Sequence, residues 1–223
     1  MTRIQVSPGE RAEIVAAFDP GERVILRSFE PDLGTNFFEN RFAGGDDTFD
    51  LLEVRAASRL TPAPSVPERL AAPERVHEED AVRIRRFELN GTAINRKEMD
   101  LGRIDEVVTA GSTEIREVHN AAGTPHNFHP HGVSFRVIEY AGEPAPPQLT
   151  GWKDTVYVLP GKTVRFLVRF GDDSDPDTPY MFHCHILQHE DRGMMGQFVV
   201  AKPAQAAGPR KDERHNSHQR HSD

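Results

Sequence analysis

Six of the chain's eleven histidines fall in two short clusters. One is His126-Asn127-Phe128-His129-Pro130-His131; the other is His183-Cys184-His185, followed by His189 and Met194. Imidazole nitrogen, thiolate and thioether sulfur are all metal donors, and the two sulfurs are soft ones. Successive side chains of a strand point to opposite faces, so residues of equal parity share a side. By that rule Cys184 faces away from His183 and His185, and His126 faces away from His129 and His131. Two donor sets follow. His126, Cys184, His189 and Met194 combine two imidazoles, a thiolate and a weak axial thioether, the set that suits copper in electron transfer. His129, His131, His183 and His185 offer four imidazoles to a second copper centre, and two of these flank Cys184 directly. The segment HEDRGMM, which carries His189 and Met194, is polar and contains glycine, as a loop closing over a metal should. Met195 competes with Met194 for the axial position, because parity does not order a loop. Zinc also takes Cys and His, but its structural sites usually pair cysteines, and this chain has one.

These donors need a scaffold, and the rest of the sequence describes it. Short β-branched and apolar runs broken by Gly, Pro, Asn and Asp recur along the chain, while long helical periodicity is missing, which favours an all-β sandwich or barrel. Strands are expected over residues 11–18, 23–29 and 50–54, and then over 82–89, 106–109, 113–120, 133–140, 155–159, 163–170, 180–185 and 197–201. Asn90-Gly91 is a strong hairpin signal, and Pro8-Gly9 and Pro20-Gly21 mark turns. The strands beyond residue 76 suffice for a two-sheet Greek-key sandwich. The three before residue 57 cannot close one, so residues 1–56 read as the remainder of a larger domain. Pro62, Pro64, Pro67 and Pro73 make 57–75 a semi-rigid linker, 76–203 a complete domain, and the polar stretch 204–223 a disordered tail.

Lys and Arg total 27 against 35 Asp and Glu, a net charge of −8, which argues against nucleic acid or an anionic membrane as the main partner. No stretch approaches the roughly 20 apolar residues needed to span a bilayer. The first residues carry no apolar signal core, and this leaves localisation open.

At HNFHPHG, GWKDTV and MFHCHILQHEDRGMMGQFVV the sequence resembles the C-terminal cupredoxin domain of three-domain multicopper oxidases, a group that includes laccases, bilirubin oxidases, spore-coat laccases and copper-efflux oxidases. The resemblance spans roughly residues 76–202. It implies a cupredoxin-like Greek-key β-sandwich preceded by part of a second cupredoxin domain, because VSPGERAEIV and FDLLEV are similar to segments near the end of that family's middle domain. It implies that His126, Cys184, His189 and Met194 hold the type 1 copper, which takes single electrons from a small-molecule or metal-ion reductant. His129, His131, His183 and His185 would supply half the ligands of a type 2/type 3 trinuclear cluster, where dioxygen becomes water. Cys184 and Glu190 are the implied catalytic residues, Glu190 as a proton donor to the dioxygen site. Trp152, Lys153 and Asp154 are the implied scaffold, Trp152 by packing and Asp154 by hydrogen bonding. In the family the other half of the cluster comes from two His-X-His pairs of a first cupredoxin domain. His77, His119, His215, His218 and His221 lack that spacing, so the chain is expected to be a fragment, a truncated product or one component of a split oxidase, inactive alone. The rival expectation is a stand-alone blue-copper module. His215, His218 and His221, three apart in the tail, read as part of a floppy polar segment.

Overall fold

The computed structural model describes residues 3–68 and 76–203. The expected tail with His215, His218 and His221, and the end of the expected linker, lie outside the described residues. The described chain opens with β1 (Arg23–Arg27), α1 (Phe37–Phe42) and β2 (Asp50–Arg55). There follow β3 (Ala81–Asn90), β4 (Ala93–Ile94), β5 (Glu106–Thr109), β6 (Thr113–Asn120), β7 (His126–Pro130), β8 (Phe135–Tyr140) and β9 (Glu143–Pro144). The order closes with β10 (Trp152–Lys153), β11 (Val156–Val158), β12 (Thr163–Arg169), β13 (Asp175–His183), α2 (Leu187–Glu190) and β14 (Met195–Ala201).

Two sheets make a cupredoxin-like β-sandwich. One runs β10-β8-β12-β6-β3-β4 with β9 on the flank of β8, and the other runs β11-β7-β13-β14-β5. After β4 the chain crosses to the second sheet for β5 and returns for β6, so β3 and β6 lie parallel, as do β5 and β14. That crossing is a Greek-key connection rather than a meander. The apolar parity of the strands decides what lies between the sheets: Phe87 and Leu89 of β3, Val118 of β6, Phe128 of β7, Phe166 of β12 and Phe182 of β13 share one buried cluster. Phe135 stacks on Phe166 with ring centroids 4.1 Å apart. The expected Asn90-Gly91 turn joins β3 to β4, with Gly91 at φ 58°, a conformation that glycine adopts without steric cost.

Three features differ from the sequence reading. Residues 11–18 form no strand; among the described residues no partner strand pairs with them, and Ile14 and Val15 are exposed. Residues 126–130 form β7, which the histidines and Pro130 hid from a propensity reading. α1 was not anticipated: six residues are too few to display a period, and what starts the helix is the Asn36 side chain, which accepts the N–H groups of Phe38 and Glu39. β1 and β2 pair with each other, and Ile25, Leu26, Leu51 and Leu52 on them are exposed.

Candidate metal centre

β7 pairs with β13, His129 opposite His183, and with β11, His126 opposite Val158. That register brings the two histidine clusters to one end of the second sheet. β13 ends at His183, so Cys184 and His185 leave the strand, and α2 turns the chain back so that the N–H of Met194 reaches the carbonyl of His189 (3.0 Å). The expected loop therefore contains a helical turn, with His189 inside it.

Cys184 lies between two imidazoles, its Sγ 3.7 Å from His126 Nδ1 and 3.5 Å from His189 Nδ1. Cys184, His126 and Met194 have no exposed surface. Cys184 N–H donates to the Met194 carbonyl (3.1 Å), and both side chains belong to the main core cluster. Met195 begins β14 and lines a separate cavity with Lys97, Asp105 and Phe182, whereas Met194 is the methionine hydrogen-bonded through its backbone to Cys184.

Electrostatics leaves these groups ready to bind a metal. Burial, and then the charge of neighbouring His189, pushes His126 down to about 4, so its ring is neutral at pH 7 and keeps a free lone pair. Burial also lowers His189. The Cys184 thiol is pushed up by burial, against the pull of the Asn127 and Ile186 backbone N–H groups, and metal binding must therefore release its proton. Two neutral imidazoles, a buried sulfur able to become a thiolate and an adjacent thioether fit copper and leave no second cysteine for a structural zinc.

On the other side of β7 and β13, His129, His131 and His183 bring nitrogens within 4.8 Å of one another. His131 Nε2 lies 2.9 Å from His183 Nε2. Carbonyl oxygens only accept, so two tautomers are fixed: His129 Nδ1 donates to the Asp154 carbonyl (2.8 Å) and His183 Nδ1 to the Cys184 carbonyl (3.2 Å). Both rings thus carry their lone pair on Nε2, the atom a metal would take. Burial lowers His131 and His183 as well. His185 stands at the margin, its ring centroid 5.3 Å from that of His129 and 5.2 Å from that of His183. Glu190 Oε2 lies 3.6 Å from His183 Nδ1 and 3.7 Å from His185 Nδ1, buried and with no hydrogen-bond partner among the described residues.

Asp154 hydrogen-bonds near the site as expected. Trp152 does not pack as expected: it sits on edge strand β10 and is 39% exposed. Sequence reasoning missed Asn127 and Thr155. Thr155 Oγ1 lies 3.0 Å from His129 Nδ1, and Asn127 Oδ1 accepts the His185 N–H at 2.5 Å. Asn127 shares the parity of His129, and that was the signal available.

A β-sandwich that carries a buried thiol between two imidazoles at one sheet end defines a cupredoxin-type metal domain. The sequence profile of the multicopper oxidase family matches residues 63–204. The chain belongs to that family, and copper is the metal the family implies. It is 38% identical over 115 residues to the multicopper oxidase mco of Staphylococcus haemolyticus, covering 50% of this chain and 25% of that protein. It is 32% identical over 211 residues to the cell division protein FtsP of Yersinia pestis, covering 90% of this chain and 43% of that one. Among solved structures, the laccase-like multicopper oxidase CueO of the lignin-degrading bacterium Ochrobactrum sp. superposes with a TM-score of 0.67 at 32% identity, covering 81% of this chain and 42% of that chain. The chain thus spans less than half the length of these relatives.

Proposed function

We propose that this chain is the electron-accepting and oxygen-facing C-terminal portion of a laccase-like multicopper oxidase. The observation that carries the reading is the placement of Cys184 between the two donor sets: its sulfur faces His126 and His189, while its carbonyl accepts the Nδ1–H of His183. Bound copper supplies the redox chemistry: one-electron oxidation of a small-molecule or metal-ion reductant, and four-electron reduction of dioxygen to water. The protein's residues do the rest. His126, Cys184, His189 and Met194 hold the type 1 site in an apolar pocket that keeps water away and tunes the potential. His129, His131, His183 and His185 present half of a trinuclear site, with two of the four rings oriented by backbone carbonyls. His183 is covalently next to Cys184, so the route between the sites runs through one peptide unit and one imidazole. Glu190 sets its unpartnered oxygen beside His183 and His185, the position from which a carboxylate relays protons toward the dioxygen site.

In this reading residues 1–56 are the end of a middle cupredoxin domain, 57–75 a linker and 76–203 the complete copper domain. The exposed apolar residues of β1 and β2 support it, since an isolated two-stranded ribbon is marginal in water and normally has further sheet against it. The second half of the trinuclear site would come from a cupredoxin domain with two His-X-His pairs. A second reading, a blue-copper module without oxidase activity, is favoured by one observation: the Cys184 donor set is complete within this chain. Oxygen-electrode measurements on the copper-loaded chain with a phenolic donor test the proposal. The chain alone should not turn over, and adding a domain with the two missing pairs should start oxygen uptake. Sustained uptake by the chain alone contradicts the claim of a half-site, and no uptake in the presence of that domain favours the module.

A further inference from the structure

A stretch of chain remote in sequence lies against the histidine array. The Glu10 N–H donates to the Ser7 carbonyl (3.0 Å) around Pro8 and Gly9, and Gly9 has φ 84°, the composition of a type II turn. Three contacts seat this turn. The Asn127 side-chain amide donates to the Pro8 carbonyl (2.9 Å) and to Ser7 Oγ (3.3 Å), while its Oδ1 takes the His185 N–H. Glu10, with its side chain 3% exposed, accepts the Ser7 N–H (2.7 Å) and pairs with Lys153 (2.8 Å). Arg11 donates to Asp154 (2.7 Å), whose carbonyl fixes His129.

Gly9 itself meets His185. A Cβ at Gly9 would fall 2.6 Å from His185 Cδ2, closer than real Cβ contacts come, and 3.0 Å from Cγ, so the bare glycine backbone packs directly against the imidazole. Among the described residues no hydrogen bond holds the His185 ring, in contrast to His129 and His183. Gly9, the rings of His129 and His183, and Glu190 near Nδ1 surround it instead.

We propose that residues 7–11 are a positioning element for the histidine array. Gly9 sets the ring of His185, Arg11 acts on His129 through Asp154, and the array binds a metal ion tightly only with the turn seated. This rests on the reading that the array binds copper. None of these residues touches the Cys184 donor atoms, so the two sites respond differently to loss of the turn.

The test is a copper(II) titration of the 223-residue chain, wild type and Gly9→Ala. Visible thiolate absorption reads the Cys184 site, and the electron paramagnetic resonance of nitrogen-bound, non-blue copper reads the array. Removing groups that orient metal ligands typically weakens binding by about 10- to 100-fold. Gly9→Ala is expected to weaken the array by that factor with the thiolate band retained. In a His185→Ala background it should add a much smaller loss, no more than the Arg11 route through Asp154 supplies, since the main effect acts through the His185 ring. Unchanged array affinity in Gly9→Ala overturns the proposal, and so does an equal loss with His185 already absent. Should Gly9→Ala not fold, Arg11→Met removes only the Asp154 contact and is expected to weaken the array roughly two- to threefold, as for an exposed ion pair; no change then overturns the proposal. A wild-type chain with no non-blue copper signal would instead refute the four-histidine reading itself.

Discussion

Removing the carboxylate of Glu114 should unfold the sandwich far more readily than removing any surface carboxylate. Glu114 of β6 points between the sheets with its side chain 3% exposed. It accepts from Arg85 Nε at 2.7 Å and Nη2 at 3.1 Å, and lies 3.0 Å from Arg116. Glu106 completes the group by pairing with Arg85. Arg85 and Arg116 against Glu106 and Glu114 leave no net charge. Burial holds Arg116 down to about 10, which still leaves it charged at pH 7. In Glu114→Gln one buried positive charge is left over; Arg85 keeps Glu106 as its direct partner, while Arg116 keeps only the weaker attraction of Glu106 and, among the described residues, the faces of Phe87 and Phe170, each with its centroid 5.3 Å away. Stranding one member of a buried pair costs about 3–5 kcal/mol. Glu117 is the control: its side chain is 27% exposed, its close partner Arg86 is 75% exposed and Arg165 lies 3.8 Å away, and pairs of that kind contribute about 0–1 kcal/mol. Urea unfolding of the metal-free chain followed by circular dichroism measures both. A large fall in midpoint at constant slope is expected for Glu114→Gln and almost none for Glu117→Gln. Equal midpoints for the two variants would refute the reasoning.

Two further outcomes follow from the same structure. In the metal-free chain the unfolded state protonates His126 near 6.5 and the folded state only near 4, so stability is full above 6.5 and falls by about 3 kcal/mol as pH drops to 4; His131, His183 and His189 act in the same direction. Urea midpoints at pH 7 and pH 4.5 that coincide would contradict this. Gln197, buried on β14, donates to the carbonyls of Asp100, Leu101 and Arg103, so Gln197→Leu should cost about 1–3 kcal/mol and speed amide exchange across residues 100–105, as read by hydrogen-exchange mass spectrometry.

The grouping of the candidate donor residues was legible because metal chemistry restricts residue type and because strand parity is a strict rule. The sorting of Cys184 from His183 and His185 needed nothing beyond a period of two. The sheets were legible for a similar reason: the apolar runs that became β3, β6 and β12 must cover a core. What escaped notice depends on contacts remote in sequence. Gly9 against His185 and Asn127 between Pro8 and His185 join positions 58 to 176 residues apart, and no local pattern encodes such a meeting. β7 was hidden because it carries two histidines and a proline in five residues, types that propensity assigns elsewhere. Residues 11–18 looked like a strand because their composition is right, but a strand also needs a neighbour.

Copper(II) added to the purified chain, followed by visible absorption in wild type and Cys184→Ser, tests the account most directly. An intense thiolate-to-copper band in the wild type and its loss in the serine variant is the predicted result. A colourless wild-type chain that is folded and binds copper, or a serine variant as blue as its parent, would contradict the assignment of Cys184 between His126 and His189 as the seat of the electron-accepting copper.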